Sequence, residues 1–140
     1  MAEAIFNHKI KELKLEDGFQ SDSCGTGNYH VGGLADHRTI FLLKKSGVEI
    51  NHVVRQLQDE DLEEFDYVIA MDKNNHNNIM RLPSANKYAD KVKLMREYDP
   101  KGLGDVPDPY HGVERDFQEV FEILDRSIDS FVADLKSQNV

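Results

Sequence analysis

Apolar residues recur at helical spacing near both ends of the chain. The spacing over residues 114–136 is three, four and seven, which predicts a long amphipathic helix. A second apolar stripe predicts a helix over residues 2–15, ended by Asp17-Gly18. A third helix is predicted between Asp36 as N-cap and Gly47 as stop signal.

Short apolar runs between these helices predict the strands of a sheet. Residues 65–71 end in a near-continuous apolar run, as is typical of a buried parallel strand. Residues 91–95 alternate, with Val92 and Leu94 on one face, and residues 19–23 form a further candidate strand.

Polar helices are predicted between the strands, one opened by residues 59–61 and one by Asp72. Strands that alternate with helices indicate an α/β fold with a mainly parallel sheet flanked by helices. We therefore expect a single domain that spans residues 1–140.

Charge and composition narrow the possible partners. The chain has 26 acidic and 17 basic residues, a net charge of −9, so we expect it to repel nucleic acid and acidic membranes, apart from any local positive pocket. No apolar run approaches the roughly 18 residues of a membrane span. A single cysteine, Cys24, rules out an internal disulfide framework and favours a reducing compartment, the cytoplasm.

A loop with two prolines carries the most distinctive chemistry of the chain. Pro107 and Pro109 flank Asp108 and restrict the backbone on either side of it, and Tyr110 follows. A carboxylate held in this way suits proton donation to a leaving aryl or alkyl oxygen. It equally suits a structural Asx-type turn, and the loop by itself leaves both interpretations open.

Six blocks form an ordered pattern along the chain: Met1–Phe6, Asp22–Gly27, Asp36–Arg38, His52–Gln56, Phe65–Asp72 and Asp105–Tyr110. This pattern resembles the low-molecular-weight protein tyrosine phosphatases, and the six blocks together are far more specific than any one of them. The resemblance covers residues 2 to about 133.

The resemblance implies a reaction and roles for particular residues. Asp108 would act as the general acid, which protonates the leaving phenolate and then activates water to hydrolyse a phosphocysteine. Tyr29 and Tyr110 would hold the ring of a phosphotyrosine protein or a small aryl phosphate, although both also read as ordinary surface tyrosines. His111 stands where many members have a second tyrosine. No cofactor is implied.

Other residues at family positions have structural roles in this resemblance. Ser23, His52 and Asp72 would brace the phosphate-binding loop by hydrogen bonds. Arg38 and Arg55 would form ion pairs with neighbouring acids rather than bind phosphate. We predict no metal site, since the six histidines show no ligand-like spacing.

The nucleophile of the family has no counterpart in these residues. The family carries a Cys, five residues, an Arg and Ser-Pro before a segment that commonly reads Met-Ala-Glu-Ala, with which this chain begins. Cys24 does not fit, because the sixth residue after it is His30, and we interpret it as a small, partly buried packing residue.

The first strand and the phosphate loop of the family are therefore expected to be missing, and the 140 residues to be inactive. Loss of that strand would also expose sheet edges. One explanation is a native protein that is longer, with a start codon assigned too late. The alternative is a non-catalytic member that binds a partner or associates with itself. An arsenate reductase of the same fold is disfavoured by the single cysteine.

Overall fold

The computed structural model describes residues 1–26, 37–49, 55–108 and 114–138. Two short 3₁₀ turns flank the second strand, at Ala89–Lys91 and Met95–Tyr98. The helices and strands, in chain order, are α1 (Ala2–Glu12), α2 (His37–Lys45), α3 (Asp59–Glu64), β1 (Val68–Ala70), α4 (Lys73–Ile79), β2 (Val92–Leu94) and α5 (Glu114–Gln138).

The described sheet consists of β1 and β2, which pair in parallel. Val68 lies opposite Val92, and Ala70 lies opposite Leu94. The connection runs through α4, as parallel strands require a crossover. The predicted strands at 65–71 and 91–95 are thus present, each shortened to its apolar centre.

The predicted strand at residues 19–23 is wrong. Residues 19–23 do not form a strand. The only β pairing of this region in the described residues is an isolated parallel bridge between Gly25 and Gln56, after the predicted segment. The Gly25 amide donates to the Arg55 carbonyl at 2.9 Å, and the Leu57 amide donates to the Gly25 carbonyl at 2.7 Å. A single bridge makes too few ladder hydrogen bonds to define a strand.

Two apolar clusters cover the two faces of the sheet. Ile69 packs against the cluster formed largely by α1 and α5, whereas its neighbours Val68 and Ala70 belong with the cluster that contains Leu62 of α3 and Ile79 of α4. Successive side chains of a strand point to opposite faces, so one three-residue strand contacts both layers. The α/β architecture predicted from the sequence is therefore confirmed.

The helix predicted over residues 2–15 ends at Glu12, and α1 lies against α5. Lys9 bridges Asp125 and Asp129, with each ammonium–carboxylate distance 2.7 Å. Lys14, just past α1, has a positive φ of 60°, the left-handed conformation that commonly closes a helix. The final helix, predicted over 114–136, runs to Gln138. None of the described helices combines the length and apolar content that a bilayer crossing needs.

Candidate active site

Two aspartates meet at the start of α4, directly after β1. Asp72 is the N-cap of this helix, and its Oδ1 accepts a hydrogen bond from the Asn75 amide at 2.7 Å. Asp105 Oδ1 accepts from the amide of Lys73, the first residue of the helix, at 3.1 Å. Both carboxylates thus lie at the carboxyl end of β1, the edge at which ligands bind in open α/β sheets.

The loop that carries Asp108 is attached to the same end of β1. Val106 is buried, and its amide donates to the Met71 carbonyl at 2.8 Å. Asp108 follows two residues later and is exposed. Asp105 is exposed, yet its carboxylate also holds the loop against α4. The candidate acid therefore stands on a loop fixed next to the strand end.

A buried carboxylate holds the beginning of this loop. The Asp99 side chain is fully buried, and it accepts hydrogen bonds from Arg126 Nε at 2.8 Å, Arg126 Nη2 at 3.1 Å and Arg96 Nε at 2.9 Å. The Lys101 amide adds a fourth at 2.8 Å. The Arg126 hydrogen bonds, with help from Lys101 and Arg96 and against the effect of burial, lower the pKa of Asp99 to about 2.

Ser23 lies beside the first turn of α1. Its hydroxyl donates to Glu3 Oε1 at 2.9 Å. Three residues on, the Thr26 hydroxyl accepts from Asn78 Nδ2 of α4 at 3.3 Å. The segment from Ser23 to Thr26 therefore connects the amino end of α1 with the same helix that holds the acid loop.

Arg55 forms structural ion pairs, as the sequence predicted. Its Nε donates to Asp22 Oδ2 at 2.7 Å, and its two terminal nitrogens reach the buried Asp61 carboxylate at 2.9 Å and 3.0 Å. Arg38 lies over the ring of Phe117, with 4.5 Å between guanidinium carbon and ring centroid. Because Arg55 pairs with both Asp22 and Asp61, it holds the Asp22–Thr26 segment against α3.

Cys24 does not have the character of a nucleophile. The prediction that it is partly buried is wrong, because the residue is exposed. Protein atoms around the sulfur nevertheless raise the pKa of the Cys24 thiol to about 11; Arg55 opposes this rise, and Asp61 and Asp22 add to it. The thiol is protonated at neutral pH, whereas thiolate is the reactive form.

Four of the residues singled out in the sequence lie outside the described residues: Tyr29, His52, Tyr110 and His111. Of the others, Asp72 lies at the carboxyl end of β1, and Asp108 follows two residues after Val106, which is bonded there. The segment of Ser23 reaches α4 through Thr26. Within the described part of the chain, no three His, Cys, Asp or Glu side chains converge as metal ligands. The sequence did not reveal the Asp99 cluster, since its carboxylate and Arg126 are separated by 27 residues and share no motif.

Parallel strands between helical layers, with carboxylates gathered at the carboxyl end of β1, define the protein as an α/β domain. The family model described as "Low molecular weight phosphotyrosine protein phosphatase" matches residues 1–140, and the chain belongs to this family of hydrolases.

Relatives that carry this family name come from distant organisms. A low molecular weight phosphotyrosine protein phosphatase of Schizosaccharomyces pombe is 42% identical over 123 residues, which are 86% of this chain and 78% of the relative. The protein of that name from Gallus gallus is 34% identical over 135 residues, or 94% of this chain and 84% of its own.

Solved structures share the whole fold. A protein tyrosine phosphatase from Entamoeba histolytica, crystallised with Hepes in its active site, superposes with a TM-score of 0.92 at 30% identity, covering 99% of this chain and 89% of its own. YfkJ from Bacillus subtilis also gives 0.92 at 30% identity, with 99% and 87% covered. The three-dimensional structure of this chain therefore agrees with its assignment to the family.

Proposed function

We propose that this protein serves phosphotyrosine monoester hydrolysis through a cysteinyl-phosphate intermediate, with Asp108 as the proton donor. The observation that supports it is the attachment of the Asp108 loop to the carboxyl end of β1, through Val106 and Asp105. Asp108 would protonate the departing phenolate oxygen, then take a proton from the water that attacks the phosphocysteine. The substrate class is a phosphotyrosine protein or a small aryl phosphate.

The remaining site residues have supporting roles in this proposal. Tyr29 and Tyr110 would contact the two faces of the substrate ring. Ser23, His52 and Asp72 would brace a phosphate-binding loop. Ser23 is suitably placed for this, because it lies next to the amino end of α1, where helix amides favour an anion.

The 140 residues by themselves are proposed to be inactive. They contain one cysteine and no Cys-x5-Arg sequence, because His30 occupies the position six after Cys24. The nucleophile would have to come from residues outside these 140. Within the 140 we propose one phosphatase-like domain, working in the cytoplasm, where a protein with a lone thiol stays reduced.

An assay of the 140-residue chain on an aryl phosphate at mildly acidic pH tests the inactivity. We expect no turnover that vanadate inhibits, and any such turnover would contradict the proposal. The intact mass and N-terminal sequence of the protein from its native cell then show whether a Cys-x5-Arg segment accompanies it. A mature protein that begins at Met1 or Ala2 would favour a non-catalytic role.

A catalytically competent form tests the role of Asp108. In a form that carries Cys-x5-Arg, Asp108→Asn should lower kcat by roughly 10²–10⁴, the usual contribution of a general acid. Asp105→Asn is the matched control, because it changes a carboxylate in the same loop that caps α4. An equal loss in both variants would remove Asp108 from the acid role.

A second candidate function is self-association through the sheet edge. In the described part of the chain, β1 pairs with a single strand, β2, so its other side has no strand partner there. Unpaired backbone groups at such an edge can accept a strand from another copy. Light scattering across a wide protein concentration range tests it, and a monomer throughout would reject it.

A further inference from the structure

We propose that Arg96 is a positioning residue for the Asp108 loop, because its guanidinium joins the buried Asp99 carboxylate to the backbone of Asp105. Nε donates to Asp99 Oδ2 at 2.9 Å, and Nη1 donates to the Asp105 carbonyl at 3.3 Å. One planar side chain thus links the first residue of the loop to a residue three positions before Asp108. The assignment of Asp108 as acid rests on the proposed function, whereas the linkage itself does not.

The Asp99 end of this linkage is rigid. Its side chain is fully buried, and Arg126 of α5 holds both carboxylate oxygens at 2.8 Å and 3.1 Å. A charged hydrogen bond in a buried setting is shorter and stronger than a neutral one. Arg96 is therefore fixed to the long C-terminal helix through Asp99.

The Asp105 end carries this rigidity to the strand end. The Asp105 carbonyl accepts from Arg96, while its carboxylate accepts from the Lys73 amide at 3.1 Å. The next residue, Val106, is buried and bonded to the Met71 carbonyl at 2.8 Å. Contacts thus run without interruption from α5 to the start of α4, and Asp108 lies two residues beyond the last of them.

Gly104, the residue before Asp105, leaves the space that the Arg96 guanidinium occupies. Gly104 has φ +154°, and a Cβ on it would lie 2.8 Å from Arg96 Nη1. A side chain at this position would push the guanidinium away from the Asp105 carbonyl. The close approach of Arg96 to the loop therefore depends on glycine at position 104.

The substitution Arg96→Lys distinguishes the effect of the positive charge from the effect of the two hydrogen bonds that link Asp99 to Asp105. Arg96→Lys keeps the positive charge beside Asp99, but a single ammonium lacks the two separated donors that bind Asp99 and Asp105 together. Arg126→Lys is the matched control, because it weakens the hold on Asp99 from the α5 side and leaves both Arg96 donors in place.

Hydrogen exchange of the 140-residue chain gives the readout, independent of catalysis. In Arg96→Lys we expect the amides of Lys73 and Val106 to exchange at least tenfold faster than in the wild type, beyond any change at the α5 amide of Leu124, which reports global opening. In Arg126→Lys, where Arg96 keeps both donors, the amides of Lys73 and Val106 should accelerate less, relative to Leu124, than in Arg96→Lys. Equal changes at Lys73, Val106 and Leu124 in Arg96→Lys would overturn the proposal.

A second variant keeps the test decisive if Arg96→Lys does not fold. Gly104→Ala leaves every charge in place and displaces Nη1 through its new Cβ. It should give the same selective acceleration at Lys73 and Val106. The control is Gly102→Ala, at φ +121° with no atom within 4 Å of the new Cβ, which shares the backbone strain without the collision. Matching exchange patterns in the two alanine variants would also overturn the proposal.

Discussion

The Asp99 carboxylate accepts two hydrogen bonds from Arg126, which lies 27 residues further along the chain on α5. The pair joins the loop after β2 to the longest helix of the protein. Since the Asp99 side chain is fully buried, its charge depends on these partners rather than on water. The ion pair of Asp99 and Arg126 should therefore contribute to the way in which the free energy of unfolding changes with pH.

Asp99→Asn should destabilise the protein at neutral pH and flatten its acid sensitivity. The folded-state pKa of Asp99 is about 2, against 3.8 for the free group, a difference worth roughly 2 kcal/mol. Because the folded pKa is lowered, this stability is complete above about pH 4 and is lost as the pH falls through about 2. Urea unfolding of both proteins across this range should show free energies that converge at low pH; a constant gap would contradict the assignment.

Ser127→Ala should stabilise the protein. The Ser127 side chain is fully buried in α5, and its hydroxyl has no hydrogen-bond partner among the residues that the structure describes. An unsatisfied buried hydroxyl costs about 1–3 kcal/mol, and alanine is also the better helix former. Ser130→Ala on the same helix, at a half-buried position, measures the helix-propensity gain. A Tm for Ser127→Ala below that of Ser130→Ala would show that the Ser127 hydroxyl has a hydrogen-bond partner.

Lys14→Gly should also raise stability, through the backbone. Lys14 has φ +60°, a left-handed conformation that costs a residue with a Cβ about 1–2 kcal/mol and costs glycine little. Part of this gain is offset by the greater freedom of glycine in the unfolded chain. The contrasting variant is Lys11→Gly, inside α1, which should lose about 1 kcal/mol. Chemical denaturation that gives both variants the same sign would reject this explanation.

Asp72→Ala should weaken α4, whereas Asp72→Asn should not. The Asp72 carboxylate caps this helix through the Asn75 amide, and loss of an N-cap costs about 1 kcal/mol. Asparagine caps nearly as well as aspartate. Far-ultraviolet circular dichroism during urea unfolding should therefore separate the two variants. A similar loss in both would mean that the negative charge of Asp72, rather than its capping geometry, stabilises this region.

Much of the fold followed from local patterns. The apolar stripe of residues 114–136 predicted α5, and the run at 65–71 predicted β1, because side-chain direction repeats with the backbone period. The predicted strand at 19–23 did not form: this segment has one apolar residue, Phe19, and a strand also requires a neighbour to bond with. Its only described bridge is the one that follows it, at Gly25.

The sequence by itself determined which segments can bury an apolar face, that Asp108 stands between two prolines, and that these 140 residues hold no Cys-x5-Arg. Only the tertiary structure decided that Asp99 is the buried carboxylate, that Arg96 reaches from it to Asp105, and that Asp105 caps α4. The reason is physical: periodicity reports the direction of a side chain relative to its own backbone. The partner of a charge depends on which distant segments pack together, and no local pattern contains that information.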